Sequence, residues 1–524
     1  MVPNFPQSSY IESRIHHLNA SQDSFMHSAH NVAAALAALG CLVFSACAQP
    51  STLTILHTND MHATFVPREA TWVKESPKPM VGGFKQLEYT INSYRKDPGK
   101  VLLLDAGDVM TGNPVTERVY QGAQGGALFE MMNLMGYDAW CVGNHDMDIS
   151  QENLAALVKV AKFPTTSANL VKGKDLFPQG NQPYVILERG GVRIGIIGVM
   201  SQELYGLVIQ TNLTGIRVLS PVETVQRFID ELDPKTDLLI ALTHQGVTDD
   251  SILAANVQGL DLIVGGHSHT RLKSPMVVNG VYILQAGSNT ENLGVANLVV
   301  DNDRIASIDG KLVPLWADRK TPPTRLGELV DSLQTEIDHE YDEVIGVLKG
   351  DWVRREGANT IGSYVTEAQR QAVRADIGLM NIHGIRRDIP AGPLTKRELF
   401  EALPFRNVLA TFQLSGAQLR AAFAYALQER PAIIATGITG EWKLRPDGTV
   451  VLQNIRVGGN PLDDRRFYSC TANDYLVGEA KRYLGLELNN VIYLKRTLFN
   501  TVEDAVRRDK EIVPEVILSF TPSR

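Results

Sequence analysis

The sequence predicts an α/β protein in two parts: a first α/β domain in which strands and helices alternate, then a smaller α+β domain, the two joined by a helix. Three observations predict it. Short apolar runs alternate with helical patterns from residue 51 to residue 318. A break at Thr321-Pro322-Pro323-Thr324 is followed by Leu326, Leu329, Val330, Leu333, Ile337, Tyr341 and Val344, which recur at helical spacing and mark a linker helix within 319–345. From 346 to 524 the pattern turns mixed, with "RNVLATFQL" and "GTVVLQNIRV" strand-like and "SGAQLRAAFAYAL" helical.

The chain has 524 residues, enough for more than one large core. Residues 1–46 read as a leader rather than as fold. Val32 to Phe44 is an apolar run too short to span a bilayer comfortably. "FSAC", Phe44 to Cys47, follows and resembles a bacterial lipoprotein signal with Cys47 as the lipidated first residue. Membrane attachment through lipidated Cys47 in the periplasm or cell envelope is therefore expected, with a cleaved soluble periplasmic form and an uncleaved anchor as alternatives. Met26 is an alternative start. Hydrophobic content of 44% and charged content of 21% are those of a globular protein. A net charge of −8 argues against binding nucleic acid polymers.

The strand-like runs of the first domain are "LTIL" at 53, "VLLL" at 101, "AWCV" at 139, "RIGIIGV" at 193, "LLIAL" at 238, "DLIV" at 261 and "VYIL" at 281. Five of them run directly into chemistry. The first ends at Asp60 and His62, the second at Asp108, the third at Asn144, His145 and Asp148, the fifth at His244, and the sixth at His267 and His269. In a mostly parallel sheet the C-terminal strand ends share one edge, so these residues can converge. Any one such Asp or His is an ordinary turn or cap residue; five such edges in chain order are not. Mixed imidazole and carboxylate donors suit manganese, zinc or iron better than calcium. The donor count exceeds one ion, and a pair of ions roughly 3.5–4 Å apart is the usual arrangement for hydrolysing phosphate esters.

The ordered set "HTNDMH", "DAGD", "GNHDMD", "THQG" and "GGHSHT" resembles the calcineurin-like metallophosphoesterases, specifically the 5′-nucleotidase family, over residues 50 to about 520. The resemblance implies that the first domain is built of layered β-sheets flanked by helices, that the second is the family's α+β substrate-binding domain, and that the cofactor is two divalent metal ions. One would be held by Asp60, His62, Asp108 and His269, the other by Asp108, Asn144, His244 and His267. It implies direct attack of metal-bound hydroxide on phosphorus. His145, oriented by Asp148, would stabilise the developing phosphoryl charge or protonate the leaving oxygen.

In the second domain "NIHGIRRDIPAG", from Asn381, resembles the family's Asn-Gly-Gly-Gly-Ile-Arg substrate loop, with Ile382 and His383 in place of two glycines. By that resemblance Asn381 would meet the base and Arg386 a phosphate or carboxylate. Phe405 and Tyr475 would sandwich the base, with Asn407 as a polar contact and Arg355 as a further arginine. Such rings contribute about 1–3 kcal/mol per stacked base. After Tyr475 the family continues with Gly-Gly-Asp-Gly, whereas this chain has Gly478-Glu479-Ala480-Lys481. The expected activity is hydrolysis of nucleoside 5′-monophosphates, extending to UDP-sugars or dinucleotides. Cyclic phosphodiesters or sulfur esters are the alternative substrates for the same centre, and a non-catalytic nucleotide-binding surface lipoprotein is the alternative from another class.

Overall fold

The computed structural model of the chain describes residues 50–355, 357–429 and 433–523. The leader and Cys47 lie outside the described residues. Pro50 onward forms one compact unit.

Seven expected strands are present: β1 (Ser51–Thr58), β2 (Val101–Asp105), β3 (Ala139–Cys141), β4 (Val192–Met200), β5 (Leu238–His244), β6 (Leu262–Gly265) and β7 (Val281–Leu284). They divide between two six-stranded sheets. In the first, β1, β2 and β3 run parallel. In the second, β4, β5, β6 and β7 do. A hairpin of β8 (Asn292–Val300) and β9 (Ile305–Pro314), with β8 antiparallel to β1, and the short strand Thr165–Thr166, parallel to β3, complete the first sheet.

The sheets stack face to face, and alternation along each strand shows why the runs are continuously apolar. Leu102 and Leu104 join Ile194, Ile196, Ile240 and Leu242 in the core between the sheets. Leu103, the intervening residue, faces a helix-covered core with Phe84 and Phe129. On the other side Ile197, Leu239 and Ala241 pack beneath the helix carrying Val225 and Ile229. Strands buried on both faces lose the period-two pattern and read as unbroken apolar runs.

The linker helix spans Arg325–Tyr341, capped by the Thr324 hydroxyl on Gly327 N at 3.0 Å. Leu326, Val330, Leu333, Ile337 and Tyr341 are buried in the first domain's core, where Phe400 of the second part joins them. Val344, read as the helix's last apolar position, instead opens a strand, Val344–Leu348, and is exposed. Only the spacing had placed it on the helix.

The second domain holds a five-stranded sheet in which Ile377–Asn381 runs parallel to Phe467–Asn473, and Val408–Ser415 runs antiparallel to the latter. The ends of the first two strands and the start of the third therefore share an edge, which brings Asn381, Asn407 and Tyr475 together.

Candidate dimetal site

The five ligand-bearing strand ends meet along one edge of the stacked sheets. The first donor group is Asp60, His62 and His269. Asn59 Nδ2 donates to Asp60 Oδ2 at 2.6 Å and the His267 amide donates to it at 2.9 Å. That leaves Asp60 Oδ1 buried with no hydrogen-bond partner. It faces His269 Nε2 at 3.3 Å and His62 Nε2 at 3.9 Å, and the two imidazole nitrogens are 3.0 Å apart. A buried carboxylate oxygen and two ring nitrogens converging without donors between them fit a divalent cation.

The second group is Asp108, His244 and His267. His244 Nδ1 lies 2.6 Å from the Ala106 carbonyl, which can only accept, so Nδ1 carries the proton. Nε2 of the neutral ring then points a lone pair at Asp108 Oδ2, 3.1 Å away, and Asn144 Oδ1, 3.2 Å away. Only a cation reconciles three acceptors. Without a metal a proton takes that place: burial opposes the charge, but Asp108, Asp60 and the Ala106 carbonyl lift the His244 pKa to about 10. His244, His145 and His62 hold the Asp108 carboxyl well below its usual range against the cost of burial.

Backbone geometry supports the same reading. Asp60, His62, Asp108, His267 and His269 all adopt positive φ, from 46° to 77°. Left-handed backbone at a non-glycine residue is strained, and such strain gathers at functional sites. Gly143 has no room for a side chain: a Cβ there would fall 2.2 Å from Asp108 N and Oδ1.

His145 stands beside this centre. Its Nδ1 lies 2.7 Å from Asp148 Oδ2, which also accepts from the Thr111 hydroxyl at 2.7 Å. Its backbone amide donates to Asp108 Oδ1 at 2.7 Å. Burial disfavours its charge, but Asp148 and Asp108 outweigh this and raise its pKa. Phe405 of the second domain stacks on its ring, centroids 5.6 Å apart at 25°.

One cleft of about 480 Å³ is lined by Asp108, Asn144, His145, Asp148, His267 and His269 from the first domain and by Asn381, Arg386, Phe405, Asn407 and Tyr475 from the second. Arg386 is half-buried; burial lowers its pKa, while Asp108 and Asp148 act to raise it. Asn381 accepts from Asn473 Nδ2 at 2.8 Å, and Asn407 donates to Asp474 Oδ1 at 2.7 Å. The Tyr475 hydroxyl donates to the Gly206 carbonyl. Arg355 is not in this cleft. It is exposed and lines a separate hollow with Arg354, His383 and Arg386.

Sequence reasoning passed over three residues that build the site. Asp146 is fully buried and accepts four backbone amides, from Asp108, Val109, Met110 and Gly143, at 2.8–3.1 Å. It ties the second and third strand ends together, while burial and Asp108 push its carboxyl up to about 7. Gln285 binds the Gly266 carbonyl at 2.9 Å and the Ser268 hydroxyl at 3.0 Å. Asn59 aims Asp60. The one available signal was adjacency, since Asn59 and Asp146 sit inside the quoted motifs. Gln285, distant in sequence from the loop it holds, had none.

Residues 53–271 match the family model for calcineurin-like phosphoesterase, and residues 344–485 match that for the 5′-nucleotidase C-terminal domain. The chain is 28% identical to protein UshA of Yersinia enterocolitica, over 79% of this chain and 83% of that one. It is 29% identical to a 5′-nucleotidase of Vibrio cholerae, over 70% and 74%. A 5′-nucleotidase of Diplobatis ommata is 28% identical over 92% of each chain. The crystal structure of a 5′-nucleotidase precursor from Thermus thermophilus superposes with a TM-score of 0.78 at 26% identity, covering 90% of this chain and 99% of that one. With both family models matched in order, and the whole architecture shared with that structure, the chain belongs to the 5′-nucleotidase family of calcineurin-like metallophosphoesterases and is a phosphoester hydrolase.

Proposed function

We propose that the protein is an extracytoplasmic 5′-nucleotidase, hydrolysing nucleoside 5′-monophosphates to nucleoside and phosphate, with UDP-sugars and dinucleotides as further substrates. The observation that carries this reading is the shared cleft: Asp108, Asn144, His267 and His269 of the candidate dimetal centre and the second domain's aromatic and basic residues line one cavity. The leader read before Cys47 supports the extracytoplasmic setting. Among the described residues no helix is long and apolar enough to cross a membrane.

Asp60, His62 and His269 would hold one ion and Asn144, His244 and His267 the other, with Asp108 between them. Manganese, zinc and iron all suit this donor set. When bound, two divalent ions supply Lewis acidity and an ionised water at neutral pH. Arg386 neutralises the phosphoryl oxygens from the second domain. His145, its Nδ1 committed to Asp148, keeps Nε2 for the substrate. As water adds to phosphorus the bond to the 5′ oxygen breaks, and that oxygen takes a proton from Nε2. Phe405 and Tyr475 bound the base site, with Asn381 and Asn407 as its polar contacts.

A second reading keeps the centre but changes the ester to a cyclic diester or a sulfur ester. It is favoured by Gly478-Glu479 in place of Gly-Gly-Asp-Gly. One panel separates the readings: phosphate release by residues 51–524 loaded with Mn²⁺, against AMP, UMP, UDP-glucose, NAD⁺, 2′,3′-cyclic AMP and an aryl phosphate, with and without His145→Ala. A coupled phosphatase is added for the diester and pyrophosphate substrates. Mutation-sensitive turnover of AMP or UMP is expected. Turnover of the aryl ester alone would refute the nucleotide assignment.

A further inference from the structure

The short helical turns Gln202–Gly206 and Gln210–Leu213 belong to the first domain but are gripped from both sides. Leu204, Val208 and Leu213 are buried in the same core as Met147 and Leu154, so the segment rests on a rigid base. Toward the second domain, the Gly206 carbonyl accepts from the Tyr475 hydroxyl and from Arg482 Nη1, the latter at 3.4 Å. Gln210 Nε2 donates to Glu479 Oε1 at 3.1 Å and to the Tyr205 carbonyl at 2.7 Å. Glu479 is one of the residues standing where the family has Gly-Gly-Asp-Gly, and here it reaches across to the other domain.

Toward the catalytic turn, Asn212 Nδ2 donates to the Met147 carbonyl at 2.9 Å and the Asp148 carbonyl at 3.0 Å. Both hydrogens of one amide are spent on the single turn that carries His145 and Asp148. The Asn212 carbonyl in turn accepts from Gln151 Nε2 at 3.0 Å, and Gln151 opens the helix that follows that turn. The turn itself is one 3₁₀ turn, closed by two backbone bonds, Met147 N to Asn144 O and Asp148 N to His145 O, at 3.1 and 3.2 Å. An element this short takes its position from what is bonded to it.

We infer that Asn212 is a positioning residue for His145: through Gly206 and Tyr475 it couples the seating of the second domain to the geometry of the His145–Asp148 turn. The inference rests on the role given to His145 above and adds to it a physical link between substrate domain and proton donor. The link is the backbone from Gly206 to Asn212, anchored in the core and hydrogen-bonded at one end to Tyr475 and at the other to the turn, a contiguous connection of the kind that can carry coupling.

A double-mutant cycle tests it. Asn212→Ala and Asn212→Ser are expected to lower kcat for AMP roughly tenfold to a hundredfold, with KM changed less, since an ångström of misplacement at an acting group has such an effect. In a His145→Ala background the same substitutions are expected to lower kcat less than about twofold, because residues acting as a unit are non-additive. Equal factors in both backgrounds would overturn the assignment, as a merely structural Asn212 matters equally without His145.

Hydrogen exchange on the metal-loaded protein gives a readout independent of turnover. Tyr475→Phe removes one hydroxyl and is expected to speed exchange at 202–213 and at 143–151 alike. Unchanged exchange at 143–151 would overturn the coupling even if activity fell. Should His145→Ala leave turnover intact, the functional role of His145 fails by itself, and exchange at 143–151 still decides the coupling.

Discussion

His244 Nε2 stands 3.1 Å from Asp108 Oδ2, with both side chains buried. In the metal-free protein this pair shares a proton, and the His244 pKa rises from 6.5 to about 10. A raised folded-state pKa contributes stability that is complete below the unfolded value and lost as pH climbs through the folded one. The chelated protein is therefore expected to lose thermal stability between pH 6.5 and 10. Metal binding must expel that proton, so affinity should strengthen over the same window. Melting with chelator and Mn²⁺ titration, each at three pH values across it, check both signs. A pH-independent affinity would sink the assignment of His244 as a ligand.

Gly143→Ala is expected to disable the centre. The added methyl would sit 2.2 Å from Asp108 N and Oδ1, backbone and ligand together. Overpacking of this kind costs about 1–3 kcal/mol, and the displaced ligand should reduce bound metal. Elemental analysis beside a melting curve separates the two effects. Full occupancy of both sites in a normally active variant would show that the loop has slack the geometry does not suggest.

Asp148→Asn should spare the fold and impair the chemistry. The amide can still accept from Thr111, but it no longer stabilises a charged His145 ring. His145 then titrates at lower pH, because Asp148 is the leading cause raising it against burial. If protonated His145 is the active form, the alkaline limb of kcat for AMP moves to lower pH, and kcat at neutral pH drops by roughly 10²–10⁴. An unmoved limb would remove Asp148 from the mechanism.

Arg386→Ala and Arg355→Ala should part company. Arg386 is half-buried and lines the shared cleft. Its loss removes a charge-assisted contact of about 1.5–3 kcal/mol, read as a rise in KM for AMP or a fall in kcat/KM. Arg355 is exposed outside that cleft, so its removal should change kcat/KM for AMP less than about twofold. Equal effects would place Arg355 on the substrate after all.

Asp146→Asn should destabilise the protein more than it alters any one contact. An amide offers one acceptor oxygen to four backbone donors and buries its own NH₂ among them. Leaving buried donors unpaired costs about 1–3 kcal/mol each. A melting midpoint within a degree of the parent would show that water or rearrangement satisfies those amides.

The candidate donor set was legible in the sequence because parallel strands convert order along the chain into position along an edge. Each of "HTND", "DAGD", "GNHD", "THQ" and "GGHSH" ends an apolar run, and the fold brings those ends together without further information. The supporting residues were not legible for the complementary reason. Local pattern does not separate Asp146 from Asp148; the family resemblance assigned Asp148 to His145, and only the path of the loops shows that Asp146 faces four amides. The β8–β9 hairpin and the end of the linker helix at Tyr341 were likewise settled by packing rather than by local pattern.

By itself, then, the sequence determined the fold class, the helix between the two parts and the candidate donors gathered at the strand ends, because these follow from periodicity and residue chemistry. The tertiary structure alone decided which residues of the second domain face that centre. It put Phe405 on His145, kept Arg386 in the cleft, left Arg355 outside it, and drew Tyr475 and Glu479 onto the 202–213 segment. Those relations depend on how two separately folded sheets meet, and a contact between distant segments leaves no periodic trace in either one.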